Sequence, residues 1–200
     1  MFITLDGIDG SGKSSQIAML CESLESTGKT VVRVRDPGGT AVGETIRGML
    51  LNSELAMHRR CEALLFLAAR SQLIEDQIQP ALEDGKIVVS DRCLLANVVY
   101  QSIGSDLLPD DLWRMGDWAN GGLRPDLTLL LDMPAEQALQ RVDRPKDRME
   151  SRGLEYMEAV RMAFLVQLPR AAHHTAIIKA DRTREEVHAD ILAAVRETFE

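Results

Sequence analysis

Residues 7–14, which read GIDGSGKS, restrict the fold of this chain more than any other segment. They match the pattern G-x-x-x-x-G-K-[ST] at each fixed position. An apolar run from Phe2 to Leu5 precedes the segment, and a stretch with helical periodicity from Lys13 to Ser26 follows it. Since a strand, a glycine-rich turn and a helix in this order aim backbone amides and a helix N-terminus at one point, the segment predicts a phosphate-binding loop on an α/β sheet.

The side chains of this loop indicate how it binds a nucleotide. Lys13 is predicted to reach the β- and γ-phosphates of ATP, and Ser14 to offer its hydroxyl to Mg²⁺. A carboxylate in a phosphate cradle is unfavourable unless it holds a cation or an acceptor group, so Asp9 is expected to be functional. Asp6 is interpreted as a plain cap at the end of the strand. The predicted nucleotide-binding residues of the loop are Gly7, Ile8, Asp9, Gly10, Ser11, Gly12, Lys13 and Ser14.

A glycine-rich turn without a ligand is the alternative interpretation of this segment. It explains neither the Lys-Ser pair nor the flanking strand and helix. A phosphate-binding loop is shared by kinases, GTPases, motor ATPases and passive nucleotide sensors, so other parts of the chain must separate these classes.

Five short apolar runs alternate with longer helical stretches along the chain. The runs are Phe2 to Leu5, Thr30 to Val34, Ile87 to Ser90, Leu127 to Leu131 and Thr175 to Lys179. The helical stretches are Lys13 to Ser26, Arg59 to Glu83, Ala135 to Val142, Leu154 to His173 and Arg184 to Thr198. This alternation predicts a three-layer α/β fold with a five-stranded parallel sheet between helices. Because no repeat or linker divides the chain, residues 1–200 are expected to form one domain.

Charge and cysteine content exclude several kinds of protein. The formal net charge of −8 argues against gripping a nucleic-acid backbone, which needs a basic face. The three cysteines lack CxxC spacing, so neither a disulfide framework nor a zinc site is indicated.

No signal pattern opens the chain, and no stretch approaches the ~18 apolar residues of a membrane span. A cytoplasmic protein without nucleic-acid or membrane partners is expected.

Two further loops are predicted at the carboxyl edge of the sheet, where open α/β proteins bind ligands. The segment from Arg35 to Thr40 follows the second strand, and its two glycines permit a close approach to a ligand. An ordinary strand-exit turn explains the segment equally well. Asp91 and Arg92 follow the third strand, and Arg92 either bridges phosphates or pairs with Asp91 at the surface.

Two helical faces are suited to recognising a base. Asn97, Tyr100 and Gln101 fall at i, i+3 and i+4, so two amides and a phenol share one face. Phe66 and Arg70 are four residues apart. If this pair opens on the cleft, the ring is able to stack on a pyrimidine and the guanidinium to donate to its carbonyl. Otherwise the phenylalanine is ordinary core and the arginine is solvated.

A run of charge at about 141–153 is interpreted as a mobile lid. Its basic residues are Arg141, Arg144, Lys146, Arg148 and Arg152, interleaved with three acidic ones. A solvated, self-compensating loop is the alternative. Beside a phosphate-binding loop, a closing lid that supplies an arginine stabilises the charge of phosphoryl transfer and excludes water. Gly10 carries no cation, so another element must provide that arginine.

Six motifs in order resemble those of bacterial thymidylate kinases over essentially the full length. They are GIDGSGKS, RDPGGT, LFLAARSQL, Asp91-Arg92 followed by Tyr100-Gln101, RPDLTLLLD and DRME. The resemblance implies the nucleoside monophosphate kinase form of the P-loop NTPase fold and a homodimer. It also implies the reaction of ATP with dTMP to give ADP and dTDP, with Mg²⁺.

The resemblance also implies roles for individual residues. The implied catalytic residues are Asp9, Lys13, Arg92 and Arg148, and the implied metal-binding residues are Ser14, Asp9 and Asp91. On the donor side, Arg148, with Arg144 as its partner, would be the lid arginine, and Ala180 would lie at the adenine. On the acceptor side, the implied contacts are Asp9, Asp36, Pro37, Arg47, Phe66, Arg70, Arg92, Asn97, Tyr100 and Gln101.

Among these contacts, Arg47 and Arg92 would hold the dTMP phosphate, Phe66 would stack on thymine and Arg70 would bond it. Asn97 would sit beside the base, Gln101 would close its site, and Tyr100 would crowd the 2′ position and favour deoxyribose.

The chain departs from the family pattern at four positions. Asp36 stands where many members have Glu, Cys93 where an aromatic or His is common, Ala96 where Ser is common, and Lys179 where Asp is usual. Three alternatives stay open: a kinase for another nucleotide such as dUMP or dCMP, a P-loop switch that binds ATP without consuming it, and an interaction protein with an idle loop.

Overall fold

The computed structural model describes residues 1–51, 55–141 and 153–199. Its strands are β1 Phe2–Asp6, β2 Val31–Arg35, β3 Ile87–Asp91, β4 Leu127–Asp132 and β5 His174–Lys179. They form a five-stranded sheet in the order β2-β3-β1-β4-β5, and each neighbouring pair is parallel. The predicted α/β fold with a parallel five-stranded sheet is therefore confirmed.

Helices lie between the strands in chain order. They are α1 Lys13–Ser26, α2 Ala41–Leu51, α3 Arg59–Leu73, α4 Gln79–Glu83, α5 Leu94–Ser102, α6 Pro109–Ala119, α7 Ala135–Gln140, α8 Leu154–Gln167 and α9 Arg184–Phe199. A π-helical segment, Ile74–Ile78, joins α3 to α4. A 3₁₀ turn that contains Pro169 follows α8 and ends the helix earlier than predicted, because proline lacks the N–H that an α-helix needs.

Two differences from the predicted helices have local causes. Helix α6 was not predicted, although Pro109 in its first turn and the acidic pair Asp110 and Asp111 are helix-start signals. Helix α7 ends at Gln140, and Val142, its predicted end, lies outside the described residues.

The middle of the sheet is buried on both faces. Each residue of β1 is buried, and Ile3 and Leu5 have no exposed surface, as expected for a strand covered by helices on both sides. The edge strands β2 and β5 are more exposed. None of the helices in the described ranges has the length and apolar content needed to cross a membrane.

Strand register brings three loops to one edge of the sheet. Asp91 at the end of β3 pairs with Leu5 of β1 and with Arg35 of β2. The amide of Arg92 donates to the carbonyl of Leu5 at 3.0 Å, and the amide of Asp36 donates to that of Asp91 at 3.1 Å. The loops that follow β1, β2 and β3 therefore lie side by side.

Candidate active site

The phosphate loop is packed tightly against the backbone beneath it. A Cβ added at Gly10 would lie 2.0 Å from the carbonyl oxygen of Ala138 in α7, and one at Gly7 would lie 2.6 Å from that of Leu131 in β4. Both glycines also have positive φ, 85° at Gly10 and 142° at Gly7. These two positions therefore require glycine for space as well as for conformation.

Lys13 is held inside the loop by the protein itself. Its Nζ donates to the carbonyl oxygens of Gly7 and Ile8, each at 3.0 Å, and lies 3.4 Å from Oδ1 of Asp9. Burial and the charge of Arg92 lower the pKa of Lys13 to about 8. The ammonium is thus placed at the centre of the cradle, with carbonyl oxygens in contact with it.

Arg92 connects the loop to the third strand. Its Nη1 donates to the carbonyl of Gly7 at 3.0 Å, and its Nη2 donates to Oδ1 of Asp9 at 2.7 Å. Its Cζ also lies 5.2 Å from the centre of the Tyr100 ring. Arg92 has a φ of 71°, the one positive value at a non-glycine residue in the described ranges. Such a backbone costs free energy and is typical of functional sites. The guanidinium pairs with Asp9 rather than with Asp91.

A buried ion pair lies at the other end of the site. Nε of Arg70 in α3 donates to Oδ2 of Asp36 at 2.5 Å, and both side chains are at most 3% exposed. Nη2 of Arg70 lies 3.5 Å from the carbonyl of Cys93. Burial by itself would lower the pKa of Arg70, but the charge of Asp36, the hydrogen bond to it and the charges of Cys93 and Asp6 together raise this pKa above its ordinary value. Within the described ranges, Nη1 of Arg70 and Oδ1 of Asp36 have no hydrogen-bond partner.

Two buried amides lie on α5. Asn97 and Gln101 are 3% and 0% exposed, and neither amide oxygen nor amide nitrogen finds a partner in the part of the chain that is described. Buried polar groups are nearly always hydrogen-bonded, and leaving one unpaired costs roughly 1–3 kcal/mol. These groups therefore indicate a binding site for a molecule that both donates and accepts hydrogen bonds.

One cleft of about 1140 Å³ joins the two ends. Drug-sized ligands occupy pockets of about 300–1,000 Å³, so the cleft has room for two small nucleotides. The predicted site residues that line it are Asp9, Gly10, Ser11, Gly12, Lys13, Ser14, Asp36, Pro37, Arg47, Phe66, Arg70, Asp91, Arg92, Asn97, Tyr100 and Ala180. Gly7, Ile8 and Gln101 are buried and do not line the cleft. Arg144 and Arg148 of the predicted lid lie outside the described residues.

Some lining residues were missed by the sequence analysis. Arg182 and Arg184 follow β5 at the same sheet edge, a position that the carboxyl-edge rule would have indicated. Glu62, from α3, is buried and pairs with Arg59 at 3.5 Å. No local pattern marks Glu62, because only the packing of α3 turns it towards the cleft.

The interpretation of Asp6 as a cap is wrong. Its carboxylate is fully buried, and neither oxygen has a hydrogen-bond partner among the described residues. Burial raises the pKa of Asp6 to about 7, although the positive charges of Arg92 and Lys13 oppose the shift. Asp6 is thus a buried acid beneath the site.

The side-chain oxygens that line the cleft fit a magnesium ion whose other ligands are mainly phosphate oxygens and water. The described part of the chain has no cluster of three or more His, Cys, Asp or Glu side chains that could hold a metal. The hydroxyl of Ser14 and the carboxylates of Asp9 and Asp91 all line the cleft. Mg²⁺ that binds with nucleotides uses one or two carboxylates and keeps water and phosphate oxygens as its other ligands, so this set suffices.

Comparison with known proteins identifies the family. The family model described as thymidylate kinase matches residues 5–191. The chain belongs to the thymidylate kinase family. A thymidylate kinase of Rhodopirellula baltica is 56% identical over 96% of this chain and 78% of its own length. Thymidylate kinases of Fervidobacterium nodosum and Neisseria gonorrhoeae are 40% and 44% identical, over 96% and 95% of this chain and 96% and 93% of their own lengths. The resemblance to thymidylate kinases is confirmed.

Proposed function

We propose that this chain transfers the γ-phosphoryl group of ATP to dTMP, giving ADP and dTDP. The observation that carries the proposal is the continuous cleft of about 1140 Å³. It joins a phosphate-binding loop to a buried, base-sized region whose hydrogen-bonding groups have no partner within the described ranges. Membership of the thymidylate kinase family supports the same reaction.

The donor end is built to hold the phosphates of ATP. Loop amides, the N-terminus of α1 and Lys13 converge there. Ser14, Asp9 and Asp91 would hold Mg²⁺, which neutralises phosphate charge when it is bound. At the far end of the cleft, Ala180 would contact the adenine.

The acceptor end offers separate groups for phosphate and base. Arg92 faces the loop, and Arg47, whose Nη1 donates to the carbonyl of Pro37 at 2.9 Å, lines the same cleft. These two cations would hold the phosphate of dTMP. The pyrimidine would stack on Phe66 and accept a hydrogen bond from Arg70. Asn97 and Gln101 would complete its hydrogen bonds, and Tyr100 would crowd the 2′ position.

Catalysis in this arrangement depends on alignment and charge. The phosphate of dTMP is ionised at neutral pH, so an oxygen of it attacks the γ-phosphorus without a strong base. The bond from that phosphorus to the β,γ-bridging oxygen breaks, and ADP leaves with the electron pair. Lys13 and Arg92 hold the two phosphates in line and stabilise the charge that develops. Arg148, with Arg144 as its partner, is still predicted to supply the lid arginine that stabilises the transferred phosphoryl group.

Arg70 favours a base with a carbonyl at the position that it faces. A guanidinium only donates, so it matches the carbonyl at C4 of thymine or uracil and opposes the amino group of cytosine. Discrimination of one methyl group is typically only ~10 to 200-fold, so dUMP is expected to be the main competing acceptor.

A coupled assay with ATP and each of dTMP, dUMP, dCMP and dGMP tests the function. We expect the highest kcat/KM with dTMP, and equal amounts of ADP and dTDP as products. A P-loop switch would bind ATP and release no additional ADP when dTMP is added. A higher kcat/KM with any of the other three nucleotides would contradict dTMP as the acceptor.

We also propose a homodimer through the outer face of α3 and α6. Trp118 is 87% exposed and lies with Leu64 and Met115 around an apolar groove between these helices. Exposed apolar patches of this kind mark interaction sites, and an identical face on a second copy gives a closed two-fold contact. We expect Trp118→Lys to give a monomer by light scattering, while Val166→Lys, on the exposed face of α8, stays a dimer. Equal masses for both variants would contradict this interface.

The whole chain is proposed to fold as one domain in the cytoplasm. Residues from β1 to α9 share one hydrophobic cluster, and the three cysteines are all free, as a reducing compartment favours.

A further inference from the structure

Helix α7 forms part of the wall behind the phosphate loop. The carbonyl of Ala138, in the middle of this helix, occupies the space that a side chain at Gly10 would fill. The position of α7 therefore fixes how deep the loop sits. With six residues, α7 is too short to be stable by itself, so other contacts must hold it in place.

Ala135 and Ala138 of α7 are fully buried in the core, and an arginine on α8 organises the polar contacts at the start of α7. Nε and Nη2 of Arg161 donate to the two carboxylate oxygens of Asp132, at 2.7 and 2.9 Å, where β4 ends. Its Nη1 donates to Oε1 of Glu158 at 2.7 Å. Oε2 of Glu158 accepts from the amide of Ala135, the first residue of α7, at 3.2 Å. Arg161 thus bonds directly to the end of β4, and through Glu158 of its own helix it supports the start of α7.

The hydrogen bonds of Arg161 hold its guanidinium in one orientation. Two parallel hydrogen bonds to one carboxylate hold a guanidinium in a single orientation, which lysine cannot reproduce. The side chains of Arg161 and Asp132 are 23% and 18% exposed, so solvent only partly screens the pair. The hydrogen bonds to Asp132 and Glu158 raise the pKa of Arg161, against the effect of burial, so it stays charged.

We propose that Arg161 is a positioning residue for ATP: it holds α7 against the phosphate loop and so sets the depth of the donor site. Arg161 does not line the cleft itself. The acceptor end has a support of its own in the buried Arg70–Asp36 pair, which joins α3 to the loop after β2 and does not involve α8. Loss of Arg161 is therefore expected to weaken the binding of ATP and to spare dTMP. This inference rests on the proposed function only where KM is measured, because binding measured by calorimetry does not require kinase activity.

The test compares donor and acceptor binding in Arg161→Met. We expect KM for ATP to rise at least about tenfold, the equivalent of one charge-assisted hydrogen bond, while KM for dTMP changes less than about twofold. Titration calorimetry with a non-hydrolysable ATP analogue and with dTMP should show the same split in Kd. The matched control is Arg170→Met, which removes an ion pair to Asp110 just beyond α8, at a residue that does not line the cleft. It should change neither constant.

Two more variants keep the test decisive if Arg161→Met folds poorly. Glu158→Ala removes the acceptor for the amide of Ala135 and keeps the pair with Asp132, so a smaller rise in KM for ATP is expected. Arg161→Lys should lie between wild type and Arg161→Met. A parallel rise of both KM values, or no change in either, overturns the inference. If wild type bound the ATP analogue but did not phosphorylate dTMP, the proposed function would fail, and calorimetry would still measure the role of Arg161.

Discussion

At the phosphate end of the cleft, the cations Lys13 and Arg92 are hydrogen-bonded to the protein, through the carbonyl of Gly7 and the carboxylate of Asp9. At the base end, Nη1 of Arg70 and the amides on α5 have no partner within the described ranges. Phosphate therefore exchanges one set of hydrogen bonds for another, whereas a base supplies bonds that were missing. The unpaired polar groups at the base end are thus expected to lower the free energy of unfolding of the ligand-free protein. The following experiments test this difference between the two ends.

The largest effect is expected at the phosphate end. Lys13→Ala should lower kcat by about 10²–10³ or more, as removal of a group that stabilises transition-state charge does. The melting temperature should hardly change, because Lys13 contacts carbonyls of a loop that Arg92 also ties down. Steady-state kinetics and a thermal melt measure both quantities. Lys86→Ala, which removes an exposed lysine paired with Asp84, is the control. Near-normal kcat in Lys13→Ala would contradict the role of this residue.

The buried ion pair at the base end should respond differently. Arg70→Met is expected to lower the free energy of unfolding by about 3–5 kcal/mol, because it leaves the carboxylate of Asp36 buried and unpaired. Arg70→Met/Asp36→Asn should recover most of that stability but not the affinity for dTMP. Urea unfolding and calorimetry with dTMP separate the two effects. An unchanged Kd for dTMP in the double variant would show that Arg70 does not contact the base.

A third change should raise stability while it lowers affinity. Gln101→Leu replaces an amide without a partner by an apolar group of similar size, so we expect an increase in melting temperature of about 2–4 °C, as 1 kcal/mol produces in a domain of this size. KM for dTMP should rise about tenfold if one hydrogen bond to the base is lost. The matched control is Gln16→Leu, because Nε2 of Gln16 donates to the carbonyl of Arg184 at 2.8 Å, and this variant should melt lower. A lower melting temperature in Gln101→Leu would mean that its amide is satisfied.

The smallest effect concerns Asp6, which lies between the two ends. Its folded pKa of about 7 is above the ordinary value of 3.8, so its protonated form stabilises the protein below about pH 4 and this contribution is lost as pH rises through 7. The charged groups that act on it are Arg92, Lys13, Asp91 and Asp36.

We expect the melting temperature of Asp6→Asn, relative to wild type, to be higher at pH 8 than at pH 6 by about 2–4 °C. Asp84→Asn, at an exposed carboxylate, should show no such dependence. If Asp6→Asn and wild type differed in melting temperature by the same amount at both pH values, the pKa of Asp6 would not be raised in the folded protein.

The two ends also differ in how far the sequence predicts them. The phosphate loop is a local pattern of eight residues, and its strand and helix follow from apolar runs and periodicity, so helix α1 was predicted with its observed bounds. The contacts of the base end join residues far apart in the chain, such as Arg70 with Asp36. Each was predicted as a candidate, but the ion pair between them depends on how α3 packs against the loop after β2, which no short segment specifies.

The burial of a side chain was harder to predict from the sequence than the chemical role of a residue. Asp6 is polar and ends a strand, and its sequence context gives no sign that helices and loops cover it completely. The assigned roles of the site residues stay predictions until the variants above are measured, and those of Arg144 and Arg148 rest on sequence alone.

The contact between Gly10 and the carbonyl of Ala138 has a consequence for engineering. A chain of this design cannot carry an arginine at position 10 of the phosphate loop, because the first side-chain carbon would collide with α7. Introducing a positive side chain there would require a redesigned β4–α7 connection, with the helix set back by at least the width of a methyl group. The backbone of a neighbouring helix therefore excludes a side-chain cation from this position of the loop.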